Sequence, residues 1–150
     1  MKKAKIFAHR GASGYAPENT LEAFALAQQQ GADGIELDVQ LSKDGVPVVF
    51  HDESLKRVSG HEGMIKDFTL EELKRIPVSN GFAQYSEARI PTLEEVLNLV
   101  KPGPMEINIE LKTGIFWYPE IEEKTLELVK KAGMEDRIIY SSLNHYSVQK

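Results

Sequence analysis

No cysteine occurs among the 150 residues. Disulfides and thiolate-ligated metals are therefore excluded, and the redox compartment is left open. No stretch approaches the roughly 20 apolar residues of a membrane span. The early lysines resemble a secretory n-region, yet Ile6-Phe7-Ala8 runs straight into His9-Arg10. Without an apolar h-region no secretion signal is expected, and a cytoplasmic setting is. Basic side chains are in deficit, with 18 Lys and Arg against 23 Asp and Glu and a formal charge of −5. Such a chain is poorly suited to gripping nucleic acid through phosphate contacts, and no nucleic-acid partner is expected. A phosphorylated small molecule stays open, since it needs only local positive charge. Glycine-rich nucleotide motifs and internal repeats are missing as well. What remains, 41% apolar and 27% charged residues, is an ordinary globular composition.

The order of elements follows from local signals. Residues 5–8 read as a short strand. Asn19-Thr20-Leu21-Glu22 opens a helix that reaches Gln30, with Asn19 or Thr20 as its cap. Residues 34–41 form a strand of strict alternation, followed by an Asp44-Gly45 turn and a third strand over 46–50. Residues 53–90 are irregular, with a capping box at Thr69-Leu70-Glu71-Glu72, and far exceed a usual βα loop of ~2–6 residues. They read as a small insertion with its own fold. A helix opens at Thr92, a fourth strand spans 105–112, and an amphipathic helix spans 119–132 up to Gly133. A fifth strand covers 137–142, and a helical turn starts at Asn144. Alternating strands and helices indicate an α/β fold on parallel sheet. A closed (β/α)8 barrel and an open doubly wound sheet both fit that pattern.

Alternation also separates the strand faces. Ile35, Leu37 and Val39 share one side, and Glu36 and Asp38 the other. In the fourth strand Glu106, Asn108, Glu110 and Lys112 lie opposite the apolar residues. Strands of a parallel sheet are normally apolar on both faces. Carboxylates at strand C-termini stand where α/β folds place their sites. Burying them unpaired is costly. Either a salt-bridge network with Lys112 or a divalent cation answers that cost, and the joining of Glu110 to Glu36 and Asp38 favours the cation. An all-oxygen set suits Mg²⁺ or Ca²⁺, with Mn²⁺ as a further option. His9 and His51 each stand at a strand end on the same rim and suit general acid and base. Arg10 suits bidentate contact with a phosphoryl group. His61 and His145 read as surface residues. Phe116-Trp117-Tyr118 reads as a hydrophobic cap or a pocket wall. A glycosidase built on Glu36 and Glu110 is the competing hydrolase, but a neutral sugar needs neither Arg10 nor two histidines.

The motifs His9-Arg10-Gly11, Pro17-Glu18-Asn19-Thr20, Glu36-Leu37-Asp38, His51-Asp52 and Glu110-Leu111-Lys112, in this order, resemble the glycerophosphodiester phosphodiesterase family. The resemblance implies a (β/α)8 TIM barrel, of which residues 1–150 supply about the first five strands with the 53–90 insertion after the third. It implies cation-dependent hydrolysis of a small-molecule glycerophosphodiester to glycerol 3-phosphate and an alcohol. Glu36, Asp38 and Glu110 would hold the cation, His9 and His51 would form the acid/base pair, and Arg10 and Lys112 would serve the phosphate. In that family the substrate's own glycerol hydroxyl is the first nucleophile. A lysophospholipase D-like activity and a non-catalytic phosphate-ester or metal-binding module are the alternatives. A complete barrel usually needs ~250 residues. The sequence is therefore expected to be the N-terminal part of a longer chain, or one of two copies that complete a barrel together.

Overall fold

The computed structural model describes residues 3–142 together with Asn144, Ser147 and Gln149. Strand β2 (Gly34–Leu41) is the middle of its sheet. β1 (Phe7–His9) pairs with one edge of β2 and β4 (Glu106–Leu111) with the other, and β5 (Ile138–Ser141) pairs with β4. All three pairings are parallel, in the order β1-β2-β4-β5. The fifth strand of the sheet, β3 (Pro47–Val49), runs antiparallel to the end of β2, with Leu41 opposite Pro47 and Val39 opposite Val49.

The count of five strands agrees with the sequence, but the direction of β3 differs from an all-parallel reading. The cause is the turn at Ser42–Gly45. Gly45 has φ 79° and its N–H donates to the Ser42 carbonyl at 2.9 Å. A turn this short returns the chain beside the strand it left, whereas a parallel neighbour needs a crossover of a dozen residues or more. The hairpin has a consequence for chemistry. It carries the chain back, so that the Phe50 N–H donates to the Asp38 carbonyl at 3.0 Å and His51 follows directly.

Three helices cover the apolar face of the sheet: α1 (Leu21–Gln29), α4 (Leu93–Val100) and α5 (Ile121–Ala132). Ile35, Leu37, Ile107 and Ile109 are fully buried there with Phe24, Leu93 and Val96. Thr20 caps α1 by accepting from the Ala23 N–H, so Asn19 is free for another task. Thr92 and Glu95 form a reciprocal capping box at the start of α4. α5 begins at Ile121, two residues after Pro119, because Glu120 takes a left-handed backbone at its cap.

Between β3 and α4, residues 53–90 hold two short helices, α2 (Lys56–Ser59) and α3 (Leu70–Lys74), and two 3-10 turns. Leu55, Ile65, Leu73 and Ile90 are fully buried in a second apolar cluster, which takes Val48 and Phe50 from the hairpin. Among the described residues no helix is long and apolar enough to cross a membrane. His145 lies outside the described residues, as does most of the helical turn expected after Asn144.

The loop after β1 is closed by a tight approach at Gly11. Its φ is +80°, and an added Cβ would stand 2.8 Å from the backbone carbon of Ala23. Both the conformation and the space exclude a side chain. Gly11→Ala is expected to destabilise the fold by about 1–3 kcal/mol. Urea unfolding would show it as a lower midpoint, and an unchanged midpoint would contradict the packing described.

Candidate functional site

Strand register assembles the polar face. Asp38 on β2 is level with Glu110 on β4, and Glu36 is level with Asn108 on β4 and His9 on β1. Neighbouring strands lie about 4.8 Å apart. Residues two apart on one strand share a face, so the three acids converge. One oxygen from each of Glu36, Asp38 and Glu110 lies within 4.8 Å of the others. Asp38 is fully buried; its Oδ2 accepts from Asn19 Nδ2 at 3.0 Å, while its Oδ1 has no hydrogen-bond donor. Two cations flank the group. Lys112 Nζ is 3.7 Å from Asp38 Oδ1 and 3.6 Å from Glu110 Oε2. Arg10 places Nε 3.9 Å from Asp38 Oδ2, and its backbone N–H donates to Glu36 Oε2 at 3.2 Å.

The two glutamates are perturbed despite these partners. Burial pushes the Glu36 carboxyl above its ordinary range; the Arg10 N–H opposes this and the nearby Glu110 charge adds to it. Burial and contact with Asp38 likewise push Glu110 up, against the pull of Lys112. An all-oxygen cluster in which Glu36 and Glu110 resist ionisation, with one buried Asp38 oxygen lacking a donor, fits a hard divalent cation. The salt bridges to Lys112 and Arg10 are present as well, and they leave the three carboxylates close enough to share a cation.

The histidines bracket the acids. His9 Nε2 is 3.6 Å from Glu36 Oε2, and its side chain is exposed. His51 lies toward Glu110, and the two line an open cleft of about 240 Å³ with Lys112, Gly114 and Ile115. His51 Nδ1 is 2.7 Å from Asp52 Oδ1. That contact leaves Nε2 as the nitrogen available to the cleft. Arg57 of α2 donates through Nε to Asp52 at 2.8 Å and through Nη2 to Glu18. Glu18 also accepts from Arg10 Nη1 at 3.0 Å. The chain of charges thus runs from the 53–90 segment to both sides of the site.

Arg57 sets the acid limit of this network. Its hydrogen bonds, with His51 adding to them against partial burial, hold Asp52 down from 3.8 to about 2. For Glu18 burial acts upward, but the Arg57 and Arg10 hydrogen bonds win and hold it below its ordinary range. A depressed carboxylate stabilises the fold fully above its unfolded pKa, and that contribution is lost as pH falls through the folded value. For Asp52 the window runs from 3.8 down to about 2. Arg57→Ala is therefore expected to raise the pH midpoint of acid unfolding followed by circular dichroism. An unshifted midpoint would show that the network contributes nothing to acid stability.

All seven sequence-predicted residues, His9, Arg10, Glu36, Asp38, His51, Glu110 and Lys112, come together at this rim. His61 is exposed and stands edge-on to Phe68, away from them. The aromatic run divides: Tyr118 is buried, Phe116 packs against the core, and Trp117 is exposed. Sequence reasoning assigned Asn19 to capping and passed over Arg57. Their partners lie 19 and 39 residues away for Asn19–Asp38 and Arg57–Glu18, and no local pattern carries such a pairing.

The geometry has relatives. Residues 9–150 match the model of the glycerophosphoryl diester phosphodiesterase family. A glycerophosphodiester phosphodiesterase of Caldanaerobacter subterraneus subsp. tengcongensis is 50% identical over 148 residues, covering 98% of this chain and 61% of the relative. One from Bacillus altitudinis is 53% identical over 146 residues, covering 96% and 60%. The chain therefore spans about three fifths of the length of these relatives. Among solved structures, a glycerophosphodiester phosphodiesterase from Agrobacterium tumefaciens superposes with a TM-score of 0.88 at 36% identity, over 98% of this chain and 61% of the other. A phosphodiesterase from Oleispira antarctica, solved with the product sn-glycerol-3-phosphate, superposes with a TM-score of 0.85 at 38% identity, over 97% and 60%. The parallel sheet and its helices are the first part of the (β/α)8 barrel expected from the sequence, with β3 as an antiparallel hairpin beside β2. With a matched model across nearly its whole length and relatives at half identity, the chain belongs to the glycerophosphoryl diester phosphodiesterase family.

Proposed function

We propose that the protein carrying this chain hydrolyses glycerophosphodiesters to glycerol 3-phosphate and an alcohol, using a divalent cation at Glu36, Asp38 and Glu110. The observation that carries the reading is the convergence of three carboxylates within 4.8 Å with a histidine on either side. A bound Mg²⁺ or Ca²⁺ would supply Lewis-acid stabilisation of the phosphoryl oxygens. The protein's own groups do the rest. Arg10, held through Nη1 by Glu18 and 3.9 Å from Asp38, would bring positive charge to the phosphoryl group beside the acids. Lys112 brings positive charge to the wall of the cleft beside Glu110. One histidine takes the proton from the glycerol hydroxyl as that oxygen bonds to phosphorus; the other protonates the alcohol oxygen as its bond to phosphorus breaks. Water then opens the cyclic phosphate by the reverse proton transfers. The product complex of the Oleispira antarctica relative supports a small glycerophosphate ligand. The reading keeps residues 53–90 as an insertion within one barrel domain, and a cytoplasmic setting.

Glycerophosphocholine, glycerophosphoethanolamine and lysophosphatidylcholine, assayed side by side with Mg²⁺ or Ca²⁺, test the proposal. Glycerol 3-phosphate is expected from the first two, and EDTA is expected to abolish its release. EDTA-resistant turnover would remove the cation from the reaction. Ile115, 71% exposed at the cleft, favours a second reading in which an acyl chain rests there. Preferred turnover of lysophosphatidylcholine would select it, and binding without turnover would leave a phosphate-ester binding module.

A further inference from the structure

Alternation on β2 does not stop at Asp38. Gln40 shares the face of Glu36 and Asp38 and is fully buried. Its Nε2 donates to the Phe50 carbonyl at 2.8 Å and the Asp52 carbonyl at 2.7 Å, with the intervening His51 carbonyl sharing a hydrogen at 3.3 Å. Its Oε1 accepts from the buried Tyr118 hydroxyl at 2.9 Å. The orientation of the amide is forced. Carbonyls only accept, so the nitrogen must face the hairpin and the oxygen must face Tyr118. Each of the three carbonyls belongs to the turn that carries His51, and a buried carbonyl left without a donor is costly.

We infer that Gln40, held by Tyr118, is the positioning residue for His51. It fixes the backbone on both sides of the imidazole, and so holds the ring where Nδ1 meets Asp52 and Nε2 faces the cleft. Asp52 orients the ring through its side chain; Gln40 orients the peptide from which both residues hang. Outer partners of this kind preorganise reacting groups without touching substrate. Tyr118 belongs to the segment that follows β4, and Ile115 of that segment lines the cleft with His51. The clamp therefore ties the cleft's far wall to the histidine. The inference rests on the acid/base role of His51 proposed above.

Two variants and two readouts test it on the whole chain. Gln40→Glu keeps the shape and the acceptor for Tyr118, but its carboxylate cannot donate to the carbonyls. Tyr118→Phe removes one hydroxyl and leaves the donors in place, so it keeps the test open if the first variant fails to fold. Nitrogen-15 shifts of the His51 ring, read at alkaline pH, report its tautomer. The wild type is expected to hold the Nδ1–H form; Gln40→Glu is expected to mix the tautomers, and Tyr118→Phe to do so to a lesser degree. With glycerophosphocholine, kcat is expected to fall ~10-fold or more in Gln40→Glu with KM nearly unchanged, as for a misplaced acid or base. A purely structural glutamine would lower Tm and leave the tautomer alone. An unchanged His51 tautomer in a folded variant overturns the inference, whether or not turnover is seen. Unchanged turnover in His51→Ala would instead overturn the acid/base reading, which separates the two failures.

Discussion

Removing either imidazole is expected to stop chemistry and spare the cation. His9→Ala and His51→Ala should each lower kcat by at least ~10²-fold, the contribution of a well-placed general acid or base. Cation affinity should survive, because the proposed ligand oxygens are those of Glu36, Asp38 and Glu110. The two losses need not be equal. His9 is exposed and meets only the edge of Glu36 at 3.6 Å, whereas His51 is braced by Asp52 at 2.7 Å and, behind it, Arg57. A braced group carries more of its contribution in its geometry, so loosening the brace is itself a partial loss. Steady-state kinetics on glycerophosphocholine with a parallel cation titration would check both halves. Near-normal turnover in either variant would sink its assignment.

The second large effect is on stability. Glu36 and Glu110 are both held above their ordinary range, chiefly by burial. A raised carboxyl favours the fold when protonated, and that advantage is lost as pH rises through its folded pKa. At neutral pH the cation-free site is therefore a point of strain. Mg²⁺ or Ca²⁺ at about 100 times its Kd should stabilise the fold by about 2.7 kcal/mol, or about 5–10 °C in Tm for a chain of this size. Glu36→Gln should behave oppositely in the two conditions. Without cation it should match or exceed the wild type at neutral pH, since one charge of a repelling set is gone. With cation it should gain almost nothing. Thermal unfolding with EDTA and with each cation would show this crossing, and an equal cation-induced shift in both proteins would refute the ligand assignment.

Much of this was legible in the sequence, for a physical reason. Strand alternation is a strict two-residue period, so Glu36-Leu37-Asp38 declares its polar face without reference to the rest of the chain. The same rule extends to Gln40, which passes unremarked in the sequence because a neutral amide neither adds charge to the face nor moves protons. Its importance comes from three carbonyls about ten residues away and a hydroxyl 78 residues away. The direction of β3 was half legible. Asp44-Gly45 is a strong hairpin signal, yet the alternation of strands and helices around it suggested parallel pairing. The turn won because its length allows nothing else. Glu18 and Asn19 stood in the Pro17-Glu18-Asn19-Thr20 motif without a role at the site, and Arg57 went unremarked, since the Arg57–Glu18 and Asn19–Asp38 contacts span 39 and 19 residues. Asn19 also occupies a left-handed backbone, φ 55°, beside a Thr20 that takes the cap.

The proposal at the centre of this account is that three carboxylates hold one cation with two histidines close beside it. Mn²⁺ offers a direct test, because it is paramagnetic and broadens only nearby nuclei. The ring signals of His9, His51 and His61 would be followed by NMR as Mn²⁺ is added below one equivalent. The account predicts that His9 and His51 broaden together, that His61 stays sharp, and that Glu110→Gln abolishes the effect. Broadening of His61 alongside the others, or persistence of the effect in Glu110→Gln, would contradict it.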